Sequence, residues 1–129
     1  MPFVRISLVK GATVDFKHHI SQSIHQALID TFGIPENDLF QIIEELDNDN
    51  IIYPPQYLGI PHTEKMIYIR VTAKLGRSTQ MKQALYRAIA DEIYRRIQHN
   101  SNNLVISLIE NSKADWSFGK SEAQLVRNH

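Results

Sequence analysis

The sequence predicts an α+β domain built from two tandem β-α-β units, giving a four-stranded sheet with two helices on one face. Three observations carry this expectation. Short runs of β-branched and apolar residues stand at 3–9, 39–46, 68–72 and 104–110. Two longer stretches between them repeat apolar residues at helical spacing. Above all, the chain maps onto itself without a gap when shifted by 65 positions, Phe3-Val4-Arg5-Ile6-Ser7 falling on Tyr68-Ile69-Arg70-Val71-Thr72. An internal repeat that spans a whole half of a chain defines its architecture before any local reading does.

The elements follow in order. Residues 3–9 read as a strand, closed by Gly11. Thr13 is placed to cap a helix, and its repeat partner Ser78 does the same for the second. Phe16, Ile20, Ile24, Ala27 and Leu28 line one face of the first helix, which Gly33 and Pro35-Glu36-Asn37 end. Met81, Ala84, Leu85, Ala88, Ile89 and Ile93 line the second, ended by the run from Asn100 to Asn103. Residues 39–46 and 104–110 close the units as strands. Two strands joined by a helix pair in parallel with a right-handed crossover. The units occupy 2–46 and 67–111, within one domain spanning 1–129, with a loop at 47–66 and a tail at 112–129. The loop opens on a polar turn, Asp47-Asn48-Asp49-Asn50, and continues through an ordered-looking stretch at 53–59.

Leu39, Ile42, Ile43, Leu104, Ile106, Leu108 and Ile109 suggest strands that are apolar on both faces. Helices cover one face, so the other calls for a partner, and a homo-oligomer is expected. Composition narrows the function. Fourteen basic and fourteen acidic side chains cancel, so no nucleic acid or membrane partner is expected. With no cysteine, disulfides, thiol catalysis and zinc–thiolate sites are excluded. There is no signal-like or membrane-spanning segment, which makes a cytoplasmic protein the expectation. His18, His19 and His25 complete no metal motif, and Arg87, Arg95 and Arg96 read as a solvated helix surface.

Pro2 is the sharpest chemical feature. Removal of Met1 would expose a secondary amine at the start of a strand. A free α-amine titrates near pH ~8, and burial or a nearby cation lowers that toward neutrality. Such a nitrogen serves as base when neutral and as acid when protonated. Taken alone, the dipeptide reads more simply as a strand start.

The remaining motifs change that weight. Met1-Pro2-Phe3-Val4-Arg5-Ile6 resembles the start of tautomerase-superfamily chains. Phe32-Gly33-Ile34-Pro35-Glu36-Asn37-Asp38 resembles a turn of the malonate semialdehyde decarboxylase-like branch, as does Gly76-Arg77-Ser78 with Lys82, Leu85 and Tyr86. Glu110-Asn111-Ser112 through Ala114-Asp115-Trp116-Ser117-Phe118-Gly119 is similar to that branch's carboxy-terminal signature. The resemblance implies a β-α-β repeat assembled as a trimer and a cofactor-independent enzyme acting on a small carboxylate. It implies Pro2 as the catalytic amine, Asp38 acting on water or a carbonyl, and Arg77 holding a substrate carboxylate. Trp116 and Phe118 would wall the pocket. Two departures matter. Lys74-Leu75-Gly76-Arg77 stands where the decarboxylases carry Arg-Pro-Arg, and Leu39 follows Asp38 where arginine is common. Lys74 supplies a point charge but no fork.

Keto–enol tautomerisation of a 2-keto acid is therefore the leading expectation. Decarboxylation or hydration of malonate semialdehyde is the rival within enzymes, and a non-catalytic oligomeric ligand-binding protein the rival outside them. Arg5 and Arg70 fall at equivalent strand positions, and Arg70 is either a substrate ligand or a structural partner.

Overall fold

The computed structural model describes residues 1–126, so the last three residues of the 112–129 tail lie outside the described residues. Strand β1 (Phe3–Val9) leads into helix α1 (Val14–Phe32) and strand β2 (Gln41–Leu46). A small hairpin follows, β3 (Gln56–Tyr57) and β4 (Ile60–Pro61). The second unit is β5 (Ile67–Lys74), α2 (Thr79–Ile97) and β6 (Leu104–Asn111). The sheet order is β2-β1-β5-β6. Within each unit the strands are parallel, and β1 meets β5 antiparallel across the middle. No described helix is long and apolar enough to cross a membrane.

Alternation along β1 and β5 decides where the core sits. Val4, Ile6 and Leu8 face Ile67, Ile69, Val71 and Ala73 on the same side of the sheet, all buried. Ile20, Ile24, Ala27 and Leu28 of α1 and Leu85, Ile89 and Ile93 of α2 close over them. The opposite face has apolar corners at Phe3, Ile42, Val105 and Ile109, which remain 37–48% exposed. Between those corners stands a polar belt of Arg5, Ser7, Glu44 and Arg70. Its centre is an ion pair in which Arg5 Nε donates to Glu44 Oε1 at 3.2 Å and Ser7 Oγ to the same atom at 2.7 Å. These two bonds and the Arg5 charge hold the Glu44 carboxyl below its ordinary value.

The repeat extends to individual interactions. Thr13 and Ser78 each accept a hydrogen bond from the backbone N–H three residues on, at 3.0 and 3.1 Å. Lys17 pairs with Glu45, and Lys82 with Glu110, both at 2.6 Å. Arg5 is the residue that the repeat equates with Arg70 and also the one that faces it across β1–β5. An approximate two-fold axis therefore passes through this pair, normal to the sheet.

β5 and β6 run slightly beyond the expected 68–72 and 104–110, and two other boundaries differ from the sequence expectation for a local reason. β2 begins at Gln41 rather than at 39, because Asp38 N–H donates back to the Pro35 carbonyl and holds 35–38 in a turn. Helix α2 stops at Ile97, before the run from Asn100 to Asn103, because Gln98 takes a left-handed conformation with φ 53° and donates to the Tyr94 carbonyl. Gly33 fills the same place after α1, with φ 67°. A left-handed residue with a Cβ is strained where glycine is not. Gln98→Gly is therefore expected to stabilise the fold by about 0.5–1 kcal/mol, part of the strain relief being offset by added freedom in the unfolded chain. Thermal unfolding checks this, and an unchanged or lowered midpoint would refute it.

Candidate active site

The topology brings the start of β1, the start of β2 and the ends of β5 and β6 to one end of the sheet. Pro2 opens β1 there and is buried. Proline donates no N–H, so the first position of a strand costs no ladder bond. Val4 N–H donates to the Phe40 carbonyl at 3.0 Å and ties this start to the turn ahead of β2.

Asp38 sits in that turn with its side chain 10% exposed, and its Oδ2 lies 2.8 Å from the amino-terminal nitrogen of Met1. Its Oδ1 is buried and has no hydrogen-bond partner. A buried carboxylate oxygen left unpaired is costly and is available to a group entering the site.

Arg77 is set by the turn from β5 into α2, between Gly76 with φ 125° and the helix cap Ser78. One guanidinium nitrogen donates to the Lys74 carbonyl at 3.1 Å, and the guanidinium carbon lies 4.8 Å from the centre of the Phe32 ring. The planar group is thus held on two sides with other N–H donors spare. Among the described residues no hydrogen bond or ion pair joins Arg77 to Pro2 or Asp38.

Lys74 ends β5 opposite Asn111 of β6. The side-chain oxygen of Asn111 accepts from Trp116 Nε1 at 2.7 Å and anchors the tail as it leaves the sheet. The tail then crosses to the far edge. Trp116 and Phe118 stack with centroids 5.6 Å apart, and Phe118 reaches Phe40 at 5.5 Å. These rings, with Phe3, Leu39 and Ile42, line a groove of about 530 Å³ next to Pro2 and Asp38 in the chain.

The expected residues thus separate. Pro2 and Asp38 meet through the amino terminus. Arg77, Lys74, Trp116 and Phe118 share their end of the sheet. Arg70 stands mid-sheet opposite Arg5, three residues or roughly 10 Å of strand from the level of Pro2. Phe32, Phe40 and Asn111 were not among the expected site residues. Phe32 and Phe40 have apolar patterns indistinguishable from core, and Asn111 acts only through a contact made after the chain turns.

Comparison with known proteins identifies the family and agrees with the fold. Two family models, each described as “Tautomerase enzyme”, match residues 38–119 and 2–59. The “Probable tautomerase YusQ” of Bacillus subtilis (strain 168) is 38% identical over 126 residues, covering 98% of this chain and 99% of that one. “Probable tautomerase YrdN” of the same strain is 31% identical, covering 98% and 97%. Among solved structures, a malonate semialdehyde decarboxylase matches with a TM-score of 0.89 at 25% identity, covering 95% of both chains. The FG41 malonate semialdehyde decarboxylase inhibited by 3-bromopropiolate matches with a TM-score of 0.89 at 30% identity, covering 95% of this chain and 92% of that one. A fused 4-OT symmetric trimer shares the fold with a TM-score of 0.76 at 18% identity, covering 92% of each. With the two β-α-β units and these relatives in agreement, the chain belongs to the tautomerase family of enzymes.

Proposed function

We propose that this enzyme interconverts the enol and keto forms of a small 2-keto acid, with the Pro2 nitrogen as general acid and base. The observation that carries this reading is Pro2 buried at the end of the sheet where the Met1 amino nitrogen lies 2.8 Å from Asp38, with an aromatic groove lined by the neighbouring residues Phe3 and Leu39. Removal of Met1 makes Pro2 the amino terminus in that setting. During ketonisation the neutral amine takes the enol O–H proton. The O–H electron pair becomes the carbonyl π bond, and the former alkene pair takes a proton from the prolinium at carbon. The proton count is unchanged, and no cofactor takes part. Arg77 binds the substrate carboxylate, which its fork suits, and Trp116 and Phe118 receive the apolar end.

The test is ketonisation of phenylenolpyruvate by protein whose intact mass shows Met1 removed, beside Pro2→Ala. Turnover that collapses in the variant supports the reading. Absence of turnover in Met1-free protein would sink it.

A second reading is decarboxylation or hydration of malonate semialdehyde. Its support is the likeness to the two decarboxylase structures. Against it stand Lys74-Leu75-Gly76-Arg77 and Leu39, each place carrying one arginine fewer than those decarboxylases. Turnover of malonate semialdehyde exceeding that of phenylenolpyruvate would favour it.

We further propose that three copies assemble through the face that carries Phe3, Ile42, Val105 and Ile109. The apolar corners of that face and the trimeric fused 4-OT of the same fold support this. Sedimentation equilibrium should return three chain masses, and a monomer at micromolar concentration would overturn it.

A further inference from the structure

The two-fold repeat gives the sheet a second end equivalent to the first, and a cavity of about 610 Å³ opens there. It lies where β1 ends, β5 and β6 begin, α1 begins and α2 stops. The residues that the repeat equates with the amine end have lost its charges. Ile67 stands for Pro2, Asn103 for Asp38 and Ala12 for Arg77. Asn103 is buried and committed: its Oδ1 accepts from Thr63 N–H at 2.8 Å, and its Nδ2 donates to Thr63 Oγ1 at 2.9 Å. This end has no amine, no carboxylate and no guanidinium at the matching positions.

What replaces them is an aromatic corner in a lining whose charges balance: Lys10 pairs with Asp47 at 2.9 Å, and Glu64 and Lys65 carry opposite signs. Phe16 and His99 meet edge to face, centroids 6.0 Å apart at 69°, and form one corner of the cavity. The same places at the amine end hold Met81 and Ile34. His99 is 8% exposed and its Nε2 has no hydrogen-bond partner. Burial, the strongest influence on it, holds the imidazole below its ordinary value, so the ring is neutral at physiological pH. Leu8 and Ile97 continue the apolar wall.

We infer that this cavity is a second, non-catalytic site for a small neutral aromatic molecule bearing one hydrogen-bonding group. The Phe16–His99 corner would receive the ring and the His99 imidazole the polar group. The loss of Arg77's counterpart means that a 2-keto acid, held by its carboxylate, prefers the amine end. The inference is independent of the proposed reaction, since it concerns binding at the opposite end of the sheet.

The experiment is NMR titration of the His99 imidazole with 4-methylphenol, in the wild-type protein and in Arg77→Ala. A saturable shift of the His99 signal is expected in both. Phe16→Ala should weaken binding about tenfold, in line with losing an aromatic contact of about 1.4 kcal/mol. His99→Gln is a second variant that keeps a hydrogen-bonding group and loses the ring; weakened binding is expected there too, read by titration calorimetry beside the wild-type protein. Phenylpyruvate should leave the His99 signal in place at concentrations that saturate the amine end. No saturable shift, or affinity for 4-methylphenol unchanged in both Phe16→Ala and His99→Gln, would overturn the inference. A stronger shift with phenylpyruvate than with 4-methylphenol would overturn the neutral-ligand assignment.

Discussion

Protein carrying an uncleaved extension before Pro2 is expected to lose phenylenolpyruvate turnover by about 10²–10⁴-fold in kcat, the usual worth of a positioned acid–base group. The reason is electronic before it is steric. Acylation turns the Pro2 nitrogen into an amide, whose lone pair is delocalised into the carbonyl and takes no proton near neutrality. The side chain, the strand and the groove are untouched, so this perturbation separates the nitrogen from everything around it more cleanly than replacing the residue does. Retained Met1 adds a second effect. Its own ammonium occupies Asp38 at 2.8 Å. Cleavage of the extension after Met1 by a specific protease should restore activity in the same sample. Undiminished turnover in protein shown by mass to be fully extended would remove Pro2 from the mechanism.

Arg77→Ala should lower kcat/KM for phenylenolpyruvate by about 10²–10³-fold, equivalent to some 2.7–4 kcal/mol of lost charge-assisted binding. Stability should change little. The half-buried guanidinium makes one hydrogen bond to the Lys74 carbonyl and lies over Phe32, contacts worth together about 1–2 kcal/mol. Arg77→Lys keeps the charge and loses the fork, so it should recover only part of the deficit. The split between parameters is informative: a carboxylate anchor acts in ground state and transition state alike, so KM should carry much of the change. Parallel steady-state kinetics and thermal melts decide the matter. Equal kcat/KM in all three proteins would place the substrate carboxylate elsewhere.

The fold was legible because its two periodicities and its repeat agree. β1 begins and ends where alternating residues predict, and both helix caps fall on the hydroxyl residues that precede the apolar stripes. The boundaries that slipped did so for tertiary or conformational reasons. Leu39 and Phe40 have strand-like composition, yet the Pro35–Asp38 turn and the groove claim them. Gln98 ends α2 in a conformation that favours glycine, so its side chain gave no stop signal. The closing strands were read as apolar on both faces, whereas Arg5, Ser7, Glu44 and Arg70 make the middle of the outward face polar, because strand alternation turns these residues of β1, β2 and β5 away from the helices. Of the site, Pro2, Asp38 and Arg77 came from motifs. The support of Arg77 by Phe32 and of Trp116 by Asn111 depends on contacts between elements, and no local pattern encodes them.

The axis through Arg5 and Arg70 also sets catalytic stoichiometry. Two free-standing units related by it would each begin with their own nitrogen and offer two amines per pair. Once joined, the second unit starts at Ile67 with Met66 bonded to its nitrogen, which is an amide for the life of the chain. Fusion therefore commits one end of the pair to proton transfer and releases the other from that demand, leaving it free to diverge.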